Sequence, residues 1–505
     1  MNWLRLTFFL FAFCFSLNSA SSSPSSDAET EPQPEAFWAR HLIRVNSTVQ
    51  SYQFQHPWAK NAPLTQSGMG VLLPGGNVLV TAELIADHTY VELENPQTSE
   101  RSPAQVIRVD YDYNLALLHP ESLFKDLTPC ELDLNAKPGD ILSILQLQSN
   151  GQLNATEGTL IRAAVTLYPA ETSYLLSFRV AAPLQYRDTN ATQLVVREQK
   201  LTGLIMRTDS QHQTYEVIPA QVIQQFVANP PPYAGVPHLG LTATSTRDPQ
   251  IRRWLNLPQN GGIYICKVKD HGPAAKAGLQ RGDVLFAVDH QPLDEQGNIR
   301  DPLFGKINFN YLISTKHRVG DEVSLKVFRN GKFFEGKAKL ANEPTEKSLS
   351  PAYAPDRQPG YFILGGLVFM ELSRPYLQEW GGDWKIRAPQ RLVYIDQYQT
   401  ELPQFHGKVV FLSEVLPSNN TMGFDELSHI ILTRVNGHAI HSLTDLAKAA
   451  SQPINGLQKI EFLEDPHLLY LDAAASSQTD LQLIKDYSIP ATTNIEPHAS
   501  SKSLE

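Results

Sequence analysis

The chain has 505 residues, 42% of them hydrophobic, and a formal net charge of -10 at pH 7. Such a length implies about three domains rather than one core. The acidic balance, with no block rich in Lys and Arg, argues against a surface that neutralises nucleic-acid phosphates. Its three cysteines match no zinc spacing and no HExxH occurs, so neither a metal nor another cofactor is expected. His438 and His441 lie in a loop-like NGHAIHSL stretch and read as surface residues.

The chain opens with one positive side chain, Arg5, then LTFFLFAFCFSL (6–17) and the small residues NSASSS. This is the order of a secretory signal peptide, expected to span 1–20 and to be cleaved near Ala20. Cys14 follows the large Phe13, which does not fit a lipoprotein signal. No other stretch approaches the roughly 20 apolar residues of a spanning helix, so no integral membrane segment is expected once the signal is removed. The mature chain is expected to be exported, to a periplasm first and by secretion as the alternative. For the latter, Asn46, Asn154 and Asn190 each begin an N-x-S/T sequence. Residues 21–36 (SSSPSSDAETEPQPEA) read as a disordered leader. Of the remaining cysteines, Cys130 and Cys266 fall in different predicted domains and read as small buried hydrophobes rather than a disulfide.

From 37 to 228, short β-type runs recur between Gly, Pro, Asn and Asp turns: GVLLPGGNVLV, TYVEL, AQVIRVDYDYNLALL, DILSILQL, SYLLSFRV, TQLVVREQKLTGLIM and TYEVIPA. Many short punctuated strands predict an all-β sandwich or a pair of barrels. VIPAQVIQQFVAN reads as one amphipathic helix that closes this unit. Pro-rich stretches at 228–233 and 341–360 read as linkers. They delimit modules at 234–342 and 358–490, which share a Gly-Leu turn before a strand and read as diverged copies. Residues 491–505 read as a flexible tail.

Within the first module, GPAAKAGLQRGDVLFAVDHQPL (272–293) resembles the PDZ signature. Ala274, Ala275 and Gly278 would let a short helix sit close to the sheet, and Asp283 follows the tight turn at Gly282. In the second, ILTRVNGHAIHSLTDL resembles the same strand, turn and helix. A PDZ domain adds an extended peptide as a strand and captures its terminal carboxylate on the N–H groups of a Gly-Leu loop. The resemblance puts those loops at Leu239-Gly240-Leu241 and Gly365-Gly366-Leu367. The second copy serves equally well as an interdomain contact.

An exported β-domain followed by two PDZ copies resembles the HtrA/Deg family of serine proteases and chaperones. GMGVLLPGGNVLVTAELI (68–85), YNLALLHP (113–120), TNATQLVVREQKLTGLIM (189–206) and YEVIPAQVI resemble its protease motifs. LVFMELSRPYLQEWGGDW (367–384) resembles the C-terminal region of plant-type Deg proteases. The fold implied is mainly β, a trypsin-like double β-barrel followed by two α+β PDZ domains. Implied partners are unfolded or C-terminal peptide segments of proteins, in a homo-oligomer that is a trimer or a multiple of trimers. Phe37 and Trp38 are candidate apolar anchors for the oligomer, or pack on their own domain.

A trypsin-like triad needs His as base, Asp to orient it and Ser as nucleophile. Carried over motif by motif, those positions hold Leu84, Asn114 and Asn190. Leucine cannot accept a proton, and an asparagine amide is a poor nucleophile. Asp188, Ala191 and Thr192 replace the residues that shape the oxyanion hole. Glu83 could act as a base but should leave the backbone in another direction. Thr189, Thr192, His88, Asp110 and Asp112 are the nearby substitutes, and recruiting them would require slipping three independent apolar alignments. The expected function is therefore a pseudoprotease scaffold, chaperone or adaptor, with an active endopeptidase of altered catalytic arrangement as the alternative.

Overall fold

A computed structural model describes residues 37–495, except 149, 184–192, 230–231, 344–347, 354 and 403–404. The predicted signal peptide and leader, Asn190 with Asp188, Thr189, Ala191 and Thr192, and the tail beyond 495 lie outside the described residues. Among the described residues, no helix is long and apolar enough to cross a membrane.

Six strands close a first barrel: β1 (Leu42–Val49), β2 (Leu64–Leu72), β3 (Val78–Val80), β4 (His88–Glu94), β5 (Arg101–Asp110) and β6 (Leu115–Pro120), in the order β1-β2-β3-β6-β5-β4. The runs NVLV and LALL do not alternate, and the structure gives the reason. Val78, Val80, Ala116 and Leu118 fill the barrel interior, while Leu79, Leu115 and Leu117 belong to the larger cluster against the second barrel. Strands buried on both faces lose the polar alternation of a half-exposed sheet.

The second barrel is built from β8 (Ile141–Leu147), β9 (Leu153–Leu167), β10 (Tyr174–Ala181), β11 (Leu194–Arg197), β12 (Lys200–Asp209) and β13 (Thr214–Pro219). Their order is β11-β8-β9-β10-β13-β12, closed by β11 on β12, with the two-residue β7 (Glu131–Leu132) parallel to β12. Helix α1 (Ala220–Val227) follows, starting later than VIPAQVIQQFVAN implied because Val217-Ile218-Pro219 complete β13. Trp38, offered as an oligomer anchor, is fully buried in the double-barrel core and donates Nε1–H to the Glu198 carbonyl at 3.3 Å. Phe37 packs partly buried beside it. Of the two readings, packing on their own domain is the one these contacts match: the aromatics tie the N-terminal segment to its own domain. Cys130 and Cys266 are free thiols.

The first module forms the sheet β14 (Leu241–Ser245), β15 (Ile263–Val268), β16 (Val284–Val288), β20 (Glu322–Arg329) and β21 (Lys332–Lys339), in the order β14-β15-β16-β20-β21. β17 (Gln291–Pro292) pairs with β16, and β18 (Asn298–Asp301) with β19 (Gly305–Asn308) makes a separate hairpin. Asp283 is buried and bound by the Arg329 guanidinium at 2.5 and 2.7 Å, which fastens the turn before β16 to the end of β20. This module shares one continuous core with the second barrel, where Phe304 of the hairpin meets Phe178 of β10 with ring centroids 5.7 Å apart.

The second module's sheet runs β28 (Leu468–Asp472), β27 (Leu457–Phe462), β25 (Ile430–Val435), β24 (Val410–Val415), β23 (Leu367–Glu371), β22 (Tyr361–Leu364) and β29 (Thr493–Asn494). β26 (His438–Ala439) flanks β25. Three short helices between Arg374 and Tyr398 and the helix Ala473–Asp486 cover it. The predicted linkers are docked rather than free. Tyr233 donates its hydroxyl to Asp110 at 2.6 Å, and its ring faces the Arg108 guanidinium at 4.9 Å. From the first barrel, the β1–β2 loop reaches the second module: Trp58 meets Tyr361 at 5.6 Å, and Phe54 N–H donates to Glu379 at 3.2 Å.

Candidate functional site

Leu84 stands on a short 3₁₀ turn, Ala82–Ile85, directly after β3. Its side chain is buried in the first-barrel cluster with Val80 and Val91. Asn114, in the left-handed region at φ +52°, is also buried. Its carbonyl oxygen Oδ1 accepts the Glu83 N–H at 3.2 Å, and its backbone carbonyl accepts from Ala82 at 3.1 Å. The loop thus keeps its two segments together, but the Asn114 amide nitrogen meets no acceptor among the described residues. Glu83 leaves the backbone on the open side, where crowding raises its pKa and the Arg207 charge and the Asn114 hydrogen bond pull it back.

The substitutes among the described residues are employed elsewhere. His88 Nδ1 lies 2.8 Å from the Ile85 carbonyl and 3.8 Å from Asp356. Asp110 accepts from Tyr233 and from the N–H groups of Asp112 and Tyr113. Asp112 accepts from Thr172 and from Tyr353. Among the described substitutes, His88, Asp110 and Asp112, no imidazole is hydrogen-bonded to a carboxylate as a base is to its orienter. Position 190 lies outside the described residues.

The Gly-Leu loop of the first module has the geometry that strand addition needs. Gly240 sits at φ +74°, where a side chain would strain the backbone. The carbonyls of Leu239 and Gly240 are taken by the N–H groups of Ala274 and Lys269, while their own N–H groups meet no acceptor among the described residues. Among the described residues the next strand, β14, pairs only with β15, which leaves its other edge open. Beside it lies a cavity of about 760 Å³ bordered by Leu239, Leu241, Asn310 and Ile313 of the module and by Glu171 and Thr172 of the second barrel. Arg374 reaches the same cavity from the second module, bound to Asp396 at 3.2 Å and Glu171 at 3.4 Å. His238, just before the loop, is half-buried, and desolvation lowers its pKa.

The corresponding loop of the second module is already engaged. Gly365 and Gly366, at φ +60° and +92°, donate their N–H groups to the two carboxylate oxygens of Asp480, both at 2.9 Å. Asp480 is buried on the helix Ala473–Asp486 and stands where a peptide's terminal carboxylate would. β23, the strand after this loop, lies between β22 and β24, so neither of its edges is open. Leu367 is buried at its start. Nothing local in TDLQLIKD distinguishes Asp480 from an exposed helical carboxylate, and sequence reasoning missed it. Asp480→Ala leaves two buried N–H donors without an acceptor and is expected to cost about 1–3 kcal/mol. Urea unfolding would show the loss, and hydrogen exchange should accelerate at Gly365 and Gly366.

Family models described as "PDZ domain" match residues 237–340 and 350–495. The chloroplastic protease Do-like 2 of Arabidopsis thaliana is 25% identical over 476 residues, covering 92% of this chain and 77% of that protein. The putative mitochondrial protease Do-like 11 of Arabidopsis thaliana is 24% identical over 460 residues, covering 89% and 74%. A solved HtrA-type protease, AlgW with a decapeptide, is 18% identical with a TM-score of 0.46, covering 61% of this chain and 96% of that one. With two PDZ matches behind a double β-barrel and protease relatives that span most of its length, this chain belongs to the HtrA/Deg-type family.

Proposed function

We propose that this protein is an exported HtrA/Deg-type pseudoprotease that binds peptide segments of other proteins through its first PDZ domain. It would act as a chaperone or adaptor in protein quality control, as a homo-oligomer. The observation that carries the reading is the contrast between two sites. At the positions of base and orienter, Leu84 is packed into a barrel core and Asn114 is bound to a backbone N–H. At Leu239-Gly240-Leu241, a glycine-shaped loop borders an open strand edge and a cavity. Losing the nucleophile or base of a triad can cost about a million-fold in turnover. The second PDZ domain, with Asp480 on its loop, is read as structural.

The test is incubation of the mature chain with fluorescein-labelled, reduced and carboxymethylated lactalbumin, an unfolded protein. Cleavage is expected to stay at the level of an Asn190→Ala control while binding persists. Gly240→Val, which forces a β-branched residue to positive φ, is expected to weaken binding at least about tenfold. Cleavage that the Asn190→Ala chain lacks would establish the alternative, an endopeptidase with an altered catalytic arrangement.

A further inference from the structure

The connection between the two PDZ domains borders the first domain's groove. Ser348, Leu349, Ser350 and Ala352 line the same cavity as Gly240 and Ile313. This segment is fastened on two sides. Toward the second PDZ domain, Ser350 donates its hydroxyl to Asp396 at 2.8 Å and its N–H to Gln399 at 3.2 Å. Toward the first barrel, Tyr111 donates its hydroxyl to Asp356 at 3.0 Å and Tyr353 donates its hydroxyl to Asp112 at 3.4 Å. The two tyrosine rings lie 5.4 Å apart, and the Asp356 N–H donates to Asp87 at 2.7 Å.

The two attachments around the groove differ in kind. The first PDZ domain is joined to the second barrel through a shared apolar core, which water cannot replace. The barrel-side fastening of the connecting segment is made of hydrogen bonds and one tyrosine–tyrosine contact outside that core, and the Asp356 side chain remains 37% exposed. Such bonds exchange with bonds to water at little net cost, so this attachment opens first. Asp112 also accepts from Thr172, on the turn that forms the opposite wall of the cavity. One carboxylate therefore ties the segment to that wall.

We propose that residues 348–353 and 355–358 form a releasable strap that closes the peptide groove of the first PDZ domain, latched by Tyr111 and Asp112 of the former aspartate loop. The strap rests on the reading of that groove as the peptide site. When only a fraction of molecules is open, apparent affinity for a peptide falls by that fraction, and unlatching restores it. The loop that orients a base in an active protease serves here as the keeper of a binding site.

The test is a Tyr111→Phe/Tyr353→Phe double variant of the mature chain, which keeps both rings and removes both hydroxyls. Hydrogen exchange is expected to accelerate about tenfold in 348–358 and also in 239–245, as for loss of two hydrogen bonds from a local opening. Binding of the labelled, carboxymethylated lactalbumin is expected to tighten several-fold. Faster exchange in 348–358 with unchanged exchange in 239–245 overturns the strap as a cover of the groove. Unchanged exchange in both overturns the latch. If the lactalbumin binds neither form, the peptide-site reading fails, and the exchange at 239–245 still decides whether the strap covers the groove.

Discussion

Phe304→Ala is expected to lower the unfolding free energy by about 3–5 kcal/mol, as for loss of a buried aromatic ring. The ring sits at the tip of the β18–β19 hairpin, 5.7 Å from Phe178 in the second barrel and 5.6 Å from Tyr311 in its own domain. Asp301 accepts from the N–H groups of Leu303 and Phe304, so the tip is held and cannot collapse into the space left behind. Because the cluster is continuous across both domains, the truncation should also weaken their coupling. Denaturant unfolding followed by tryptophan fluorescence and far-ultraviolet dichroism should show one transition in the parent and a lower, broader one in the variant. Phe333, 40% exposed on β21, is the control, and Phe333→Ala should cost far less. Equal losses at the two positions would mean that the hairpin does not couple the domains.

The second large effect is on pH dependence. Burial raises the Asp110 carboxyl to about 6, the neighbouring Asp112 charge adds to this, and hydrogen bonds from Tyr233, Tyr113 and Asp112 oppose it. The unfolded value is about 3.9. Between these values the folded chain holds a proton that the unfolded chain has released. The stability this contributes is therefore complete below about pH 4 and is lost as pH rises through about 6, some 3 kcal/mol in order of magnitude. Asp110→Asn keeps an acceptor for the Tyr233 hydroxyl but cannot ionise. The stability of the variant relative to the parent should therefore rise by about that amount from pH 4 to pH 7. Urea unfolding at intervals across this range reads the difference directly. A difference that stays level with pH would show that Asp110 is ionised normally in the folded chain.

Much of the architecture was legible in the residues, for local reasons. Nearly every β-type run named between 68 and 219 is a strand, because apolar stretches bounded by Gly, Pro and Asn specify strand and turn within a few residues. β1 and β9 were missed. β1 reads LIRVNSTV, and Ser47 takes an inward position that a hydrophobic pattern would assign to an apolar residue. β9 begins LNATEGT, polar enough to pass for a loop until β8 and β10 cover it. The two PDZ regions were legible through the short motifs at 272–293 and 431–446, whose small residues and turns act over one helix or one hairpin.

The sequence by itself determined most of the strand-forming runs, the two PDZ motifs and the Gly-Leu turns before a strand, since each is a local pattern of residue types. Only the tertiary structure decided what those loops meet. Asp480 reaches Gly365 from 115 positions away, and the edge of β14 is open because no other strand among the described residues pairs with it. Likewise, Trp38 is a core residue because the second barrel closes over it, and Asp112 is a latch because a tyrosine 241 positions later lies beside it. Hydrophobic period and turn chemistry carry no information over such separations. Burial and pairing between distant segments appear only when the chain has folded.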